Sequence, residues 1–314
     1  MFPFIEFFKA PQPAQITKPE PVIPLVDFEL KHSSFLRVSE GFSVDLEPFR
    51  STGERDAILA SSGMGKSYLT GVLMEETLET GGLLCVIDPE GEHWTLGERY
   101  PILIIGGDHA ALPLEEERFE EYFETVLEKG VSILFDLSHE VHSNQQKIYV
   151  AIVAALFPLE DKHKRKIRFV VDEARIYAPQ KGMSVAKGEE NSLSMSQNVA
   201  QLGRKRGIDS LWATQRPANI NKDILSQCNR FWFGGISTTN DYNAIKSFLD
   251  DAGISLTEIR SLKRGEFLFF ANGETTKLIV RKRHCRHSAS TPVVDQNKPV
   301  ASKKDLKAIL EKLK

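Results

Sequence analysis

Two short groups of residues in this chain have the types and spacing that phosphate chemistry requires. The first is Ala60-Ser61-Ser62-Gly63-Met64-Gly65-Lys66-Ser67, which fits the pattern GxxxxGK(S/T) at every fixed position but the first, where alanine replaces glycine. It lies between the apolar stretch "AILA" and the helical pattern "KSYLTGVLMEETL". That setting matters, because a loop's backbone N–H groups and a helix N-terminus must converge on the same phosphates. The first position asks mainly for a small residue at the end of a strand, so alanine leaves the motif intact. Gly63 and Gly65 stand where the backbone has to turn tightly. Ser62, Gly63, Met64, Gly65, Lys66 and Ser67 are therefore the candidate nucleotide-binding residues, with Lys66 neutralising the β- and γ-phosphates of ATP and Ser67 a ligand of its Mg2+.

The second group ends the run "KIRFVVDEAR". A buried strand that closes on Asp172-Glu173 offers the two carboxylates that hydrolysis needs. Asp172 can hold the hydrated Mg2+ and Glu173 can orient and polarise the attacking water. The glutamate favours a hydrolysing ATPase over a GTPase switch or a metabolite kinase. Farther on, "SLWATQRPA" puts Gln215 at the tip of another strand, where an amide can sense the γ-phosphate.

The elements that must position these residues are legible as an alternation. Short, continuously apolar, β-rich runs occupy 56–60, 83–87, 102–105, 131–137, 167–171, 210–214 and 230–234, and helical patterns occupy 66–80, 114–129, 144–157 and 189–206. Strands apolar on both faces and separated by helices predict an α/β fold, a mostly parallel sheet with helices on both faces. Two more strands, "EFLFFA" and "TKLIVRKR", flank the hairpin-type turn Asn272-Gly273.

Taken in order, the pieces "ILASSGMGKS", "CVIDPEGEHWTL", "FVVDEA", "GRKRGIDSLWATQRPANI" with "LSQCNRFWFG" behind it, and "LKRGEFLFF" resemble the HerA/FtsK superfamily of P-loop motor ATPases, and within it the HerA-like branch. The resemblance runs from about residue 50 to 282. It implies a P-loop NTPase fold of the RecA/ASCE-like type. Asp88, Pro89, Gly91 and Glu92 match the family's Asp-Pro-x-Gly-Glu motif, which brings Asp88 and Glu92 into the nucleotide site. It further implies a homo-oligomeric ring, usually a hexamer, with ATP at subunit interfaces and double-stranded DNA in the central channel. A neighbour's arginine then stabilises charge on the γ-phosphate; Arg204 and Arg206 are the candidates, with Arg216 and Arg230 behind them. Family members carry a β-barrel before the ATPase core, whereas about 50 residues precede it here. "FLRVSEGFSVDL" is read as a remnant strand pair.

The rest of the chain bounds these readings. It has 314 residues, 41% of them hydrophobic, and a net charge of -3, so any contact with DNA must be local. Three cysteines without a CxxC pair fit a reducing compartment and give neither a zinc site nor a disulfide framework. No secretion signal and no run near the roughly 20 apolar residues of a membrane helix is apparent, so a cytoplasmic protein is expected. Residues 1–50 read as a proline-rich arm with a short β segment, 51–285 as the ATPase domain, 286–301 as a linker and 302–314 as an amphipathic helix able to dock a nuclease or other protein partner. The basic runs at 281–286 (Arg281, Lys282, Arg283, Arg286) and 161–166 are the candidate DNA-phosphate contacts. The leading reading is an ATP-driven DNA translocase or helicase motor of HerA type, able to act with a nuclease partner. The alternatives are a viral genome-packaging or conjugative DNA-transfer ATPase, and a non-translocating regulatory ATPase that switches a partner protein.

Overall fold

Every strand that ends in a candidate site residue belongs to one sheet. The computed structural model describes residues 35–45, 53–163, 165–180 and 189–287. In chain order the strands are β1 (Phe35–Ser39), β2 (Phe42–Asp45), β3 (Arg55–Leu59), β4 (Leu83–Asp88), β5 (Ile102–Ile105), β6 (Ser132–Asp136), β7 (Ile167–Val171), β8 (Ile208–Thr214), β9 (Arg230–Phe233), β10 (Glu266–Ala271) and β11 (Glu274–Ile279). The helices are α1 (Lys66–Glu79), α2 (Phe119–Lys129), α3 (His142–His163), α4 (Glu189–Leu202), α5 (Lys222–Gln227), α6 (Thr239–Asp251) and α7 (Leu256–Ser261).

Nine strands form the sheet in the order β11-β10-β9-β3-β8-β7-β4-β6-β5, parallel from β9 to β5 and closed by the antiparallel pair β10 and β11. Strand β8 is inserted between β3 and β7. The phosphate-loop strand and the acid-bearing strand are thus separated by one strand, the RecA/ASCE-like arrangement. Registers bring the strand ends level: Leu59 pairs with Thr214, and Val171 pairs with both Trp212 and Ile87.

The continuous apolar runs are explained by cover on both faces. On one side Phe123, Phe135, Tyr149, Phe169, Trp212 and Phe233 form a core; on the other, Val72, Leu73, Val86, Val170, Leu211 and Trp232 pack together on and beneath α1. The strand pair expected at 35–46 is present as the antiparallel β1 and β2. The expected arm (residues 1–34), most of the linker and the tail helix lie outside the described residues.

Four local expectations change. The stretch 235–265, to which the sequence pattern assigns nothing, holds α6 and α7, capped by Thr238 and by a Ser255–Glu258 capping box. Helix α3 runs through Pro158 to His163 instead of ending before it. Helix α4 stops at Leu202, and Gly203–Arg206 is a 3-10 turn closed by Gly207 at φ 77°. Strand β11 ends at Ile279, and the basic residues that follow leave the sheet.

Those residues correct the expected DNA surface. Helix α1 carries Glu75, Glu76 and Glu79, only 0%, 2% and 1% exposed. Segment 281–287 crosses this acidic stripe: Arg281 pairs with Glu75 and Glu76, Arg283 with Glu75, and His284 with Glu79. The backbone N–H groups of His284 and Cys285 also donate to Glu75, at 2.9 and 3.0 Å. Buried carboxylates must find cationic or N–H partners, so Arg281 and Arg283 are internal packing and not free phosphate contacts, whereas Lys282 is exposed and Arg286 is exposed and pairs with Glu98. The run at 161–166 is likewise engaged in part, with Lys162 on Glu124 and Lys166 on Asp209.

A candidate nucleotide site at the carboxyl edge of the sheet

The phosphate loop joins β3 to α1. Gly63 and Gly65 adopt φ 79° and 98°, a region L side chains rarely enter. Gly65 is the N-cap of α1, with no side-chain cap and no acid in the first turn. The helix therefore presents unpaired N–H groups and an uncompensated positive dipole end to an anion. Neighbouring loops brace the turn: Ser61 N–H donates to Gly235 O at 2.9 Å, Ser237 N–H to Ser61 Oγ at 2.9 Å, and Gly265 N–H to Met64 O at 3.0 Å. The alanine at position 60 is accommodated by a glycine elsewhere, since a Cβ on Gly234 would lie 2.6 Å from that of Ala60.

Lys66 is the centre of the constellation. Its buried ammonium pairs with Asp172 and lies 3.1 Å from Glu173 Oε1. Burial works against the charges here, but the attraction outweighs it: Lys66 is pushed up, and Asp172 is held well below the usual carboxylate range by Lys66 and His93. Ser67 sits half-buried in the first turn of α1.

Glu173 is set apart by its backbone. Of the described non-glycine residues only Glu173 (φ 44°) and the hairpin residue Asn272 (φ 54°) have positive φ. Such a conformation in a glutamate stores strain of order 1–3 kcal/mol and clusters at functional sites. The carboxylate is aimed between Lys66 and Arg175, whose Nε is 3.3 Å from Oε2.

Asp88 and Glu92 arrive from β4, next to β7. The Asp88 carboxylate is fully buried and accepts the N–H groups of Glu92 at 3.1 Å and His93 at 2.8 Å, so it folds the turn. Burial, with Asp136 close by and His93 opposing, raises Asp88 to about 6. His93, which sequence reasoning passed over, is 0% exposed, and its Nε2 lies 3.1 Å from Asp172 Oδ2. One signal pointed to it: a histidine directly after a Gly-Glu turn at a strand end. Glu92, His93 and Asp172 bring one ligand atom each within 4.8 Å of one another. Gln215 follows β8 directly, half-buried between the loop strand and the acid strand.

The arginine candidates separate clearly. Arg204 is exposed and Arg206 stacks over Phe157 while donating to its carbonyl at 3.0 Å. Both precede β8, so they sit at the opposite edge of the sheet from their own phosphate loop, about 20 Å away along the seven-residue strand. Arg216 is exposed on the loop side and lies 3.4 Å from Asp241. Arg230 is withdrawn as a candidate: it is 0% exposed and bound to Asp56 and Glu54, so it cannot reach another chain.

An N–H-lined glycine loop, a buried lysine and a strand-end acid pair fit the triphosphate and the divalent cation of Mg-ATP by donor and acceptor chemistry. With the inserted β8, they define a P-loop NTPase of the RecA/ASCE-like type. The chain belongs to the family described as Helicase HerA, central domain, which matches residues 43–253. It is 30% identical over 125 residues to the DNA double-strand break repair helicase HerA of Pyrococcus furiosus, a match that covers 37% of this chain and 21% of that protein. The fold is similar to that of the bacterial conjugative coupling protein TrwB, with a TM-score of 0.60, 11% identity, and 83% of this chain and 91% of that one covered. TrwB in complex with ADP and Mg2+ gives a TM-score of 0.56 at 10% identity, covering 74% and 86%. The genome packaging NTPase B204 of Sulfolobus turreted icosahedral virus 2, in complex with AMP, gives 0.50 at 13% identity, covering 73% and 98%. Among the described residues no helix is long and apolar enough to cross a membrane.

Proposed function

We propose that this chain hydrolyses Mg-ATP at the junctions of a homo-oligomeric ring, a hexamer, and uses the turnover to drive double-stranded DNA through it. The observation that carries the reading is Lys66 held between Asp172 and Glu173 at one edge of the sheet, with Arg204 exposed at the other. A head-to-tail ring sets unlike edges of adjacent subunits against each other, so the arginine of one chain can complete the site of the next.

Within the site, Lys66 moves from the acids to the β/γ-phosphate oxygens, and the loop N–H groups from Ser62 to Ser67 fix the phosphate chain. Ser67 and Asp172 would hold Mg2+, which would supply charge neutralisation at the triphosphate. Glu173, freed from Lys66, accepts the proton of the attacking water. Gln215 registers the γ-phosphate at the tip of β8, and Arg204 or Arg206 from the neighbouring subunit offsets the charge that develops there.

The decisive measurement is particle mass with and without ATP and duplex DNA, together with ATPase rate as duplex is added. A ring and a DNA-stimulated rate support the motor. A monomer under every condition with a DNA-indifferent rate refutes it and favours the regulatory ATPase. The similarity of fold to a packaging NTPase and a coupling protein supports a second reading in which the motor moves intact duplex for genome packaging or conjugative transfer. Displacement of a triplex-forming strand without duplex unwinding favours that reading; strand separation favours the helicase, working with a nuclease partner.

A further inference from the structure

We propose that His93 is a positioning residue for Asp172, holding the carboxylate in its Mg2+-binding orientation after Lys66 has left it for the nucleotide. The inference rests on the ATPase reading above.

The two oxygens of Asp172 have different partners. Oδ1 receives Lys66 and the Glu173 N–H at 2.8 Å, while Oδ2 lies 3.1 Å from His93 Nε2. Once Lys66 turns to phosphate, among the described residues Oδ1 keeps only a backbone donor from the adjacent residue, and the imidazole is the one side chain still fixing the plane of the carboxylate. Nε2 must carry the proton in that bond, because a carboxylate oxygen only accepts.

His93 is built to be rigid. Its own N–H is bound by Asp88 at 2.8 Å, its carbonyl accepts Leu96 N–H at 3.1 Å, and its ring is fully buried. The anchor strand β4 is hydrogen-bonded along β7, and Asp172 N–H donates to Ile87 O at 3.2 Å. Donor and carboxylate are therefore mounted on adjacent strands and cannot drift apart. Partners of this kind, one step removed from a metal, set the ligand's orientation, and their loss typically costs about 10–100-fold in metal affinity or activity. Asp88 acquires a purpose from the same geometry: its carboxylate faces inward to shape the turn that delivers His93.

The test uses two variants of the full chain. His93→Phe keeps a buried planar ring and removes the donor; His93→Gln places an amide N–H near the position of Nε2. Turnover, KM, the Mg2+ concentration for half-maximal rate, melting temperature, and affinity for a fluorescent ATP analogue with and without Mg2+ are compared. We expect His93→Phe to lower kcat by about 10–100-fold, to raise the Mg2+ requirement and weaken Mg2+-dependent nucleotide binding, and to leave Mg2+-free binding intact. His93→Gln should recover most of the loss. Native kcat and Mg2+ dependence in His93→Phe overturn the proposal, as does an equal loss in both variants matched by equal melting-point falls. If the native chain fails to hydrolyse ATP, the ATPase reading falls on its own, and the Mg2+ dependence of analogue binding still decides the role of His93.

Discussion

Replacing Glu173 by glutamine separates binding from chemistry at this site. The side chain is 4% exposed, 3.1 Å from Lys66 and 3.3 Å from Arg175, and glutamine fills the same volume. Lys66 keeps Asp172 as its ion-pair partner, so the loop stays organised. Nucleotide affinity should hold or rise, because a carboxylate facing phosphate oxygens is removed. Loss of a positioned general base costs about 10²–10⁴-fold in rate, or roughly 3–5 kcal/mol on the barrier at about 1.4 kcal/mol per tenfold. Phosphate release under saturating Mg-ATP and equilibrium binding of a fluorescent ATP analogue measure the two effects. Glu173→Gly adds a second reading: it relieves a left-handed conformation that costs an L residue about 1–2 kcal/mol, offset by glycine's extra chain entropy of about 0.5–1 kcal/mol. That variant should be inactive and melt higher than Glu173→Ala, which loses the same buried contacts to Lys66 and Arg175 but keeps the left-handed conformation. Near-native turnover in Glu173→Gln would refute Glu173 as the base, and a Glu173→Gly chain that melts no higher than Glu173→Ala would refute the strain argument.

Three further outcomes follow from particular contacts. Gly234→Ala sets a Cβ 2.6 Å from that of Ala60 and 2.9 Å from the Phe267 ring; it should destabilise by about 1–3 kcal/mol, and adding Ala60→Gly should recover part of this in urea denaturation. Arg230→Met strips Asp56 and Glu54 of a buried cation, a loss of about 3–5 kcal/mol, or roughly 6–20 °C in melting temperature. Burial opposes the charge of Asp56, but Arg230 and Arg168 hold its carboxyl below the ordinary 3.8, so its stabilisation is full above that pH and fades as pH falls through the lower folded value. Without Arg230 the burial effect gains ground, and acid unfolding followed by circular dichroism should move to higher pH. Arg204→Ala or Arg206→Ala chains are expected to be inactive alone yet regain ATPase activity when mixed with Glu173→Gln chains; no recovery from either mixture would show that neither arginine acts in trans.

The sequence alone determined the sheet and which residues stand at its strand ends. Continuous apolar runs report strands covered on both faces, and a glycine loop or an acid pair is local in the chain, so Lys66, Ser67, Asp172 and Glu173 were legible from pattern and spacing. Asn272-Gly273 fixed the last hairpin for the same local reason. Tertiary structure decided what depends on partners distant in sequence. Runs of arginine look alike whether they meet solvent or carboxylates; only the fold laid 281–287 over Glu75, Glu76 and Glu79 and buried Arg230 against Asp56. Ala60 was tolerable by size, but the space for it comes from Gly234, 174 positions away. His93 became visible only when β4 lay beside β7, because a hydrogen bond to Asp172 across 79 residues leaves no periodicity in the chain.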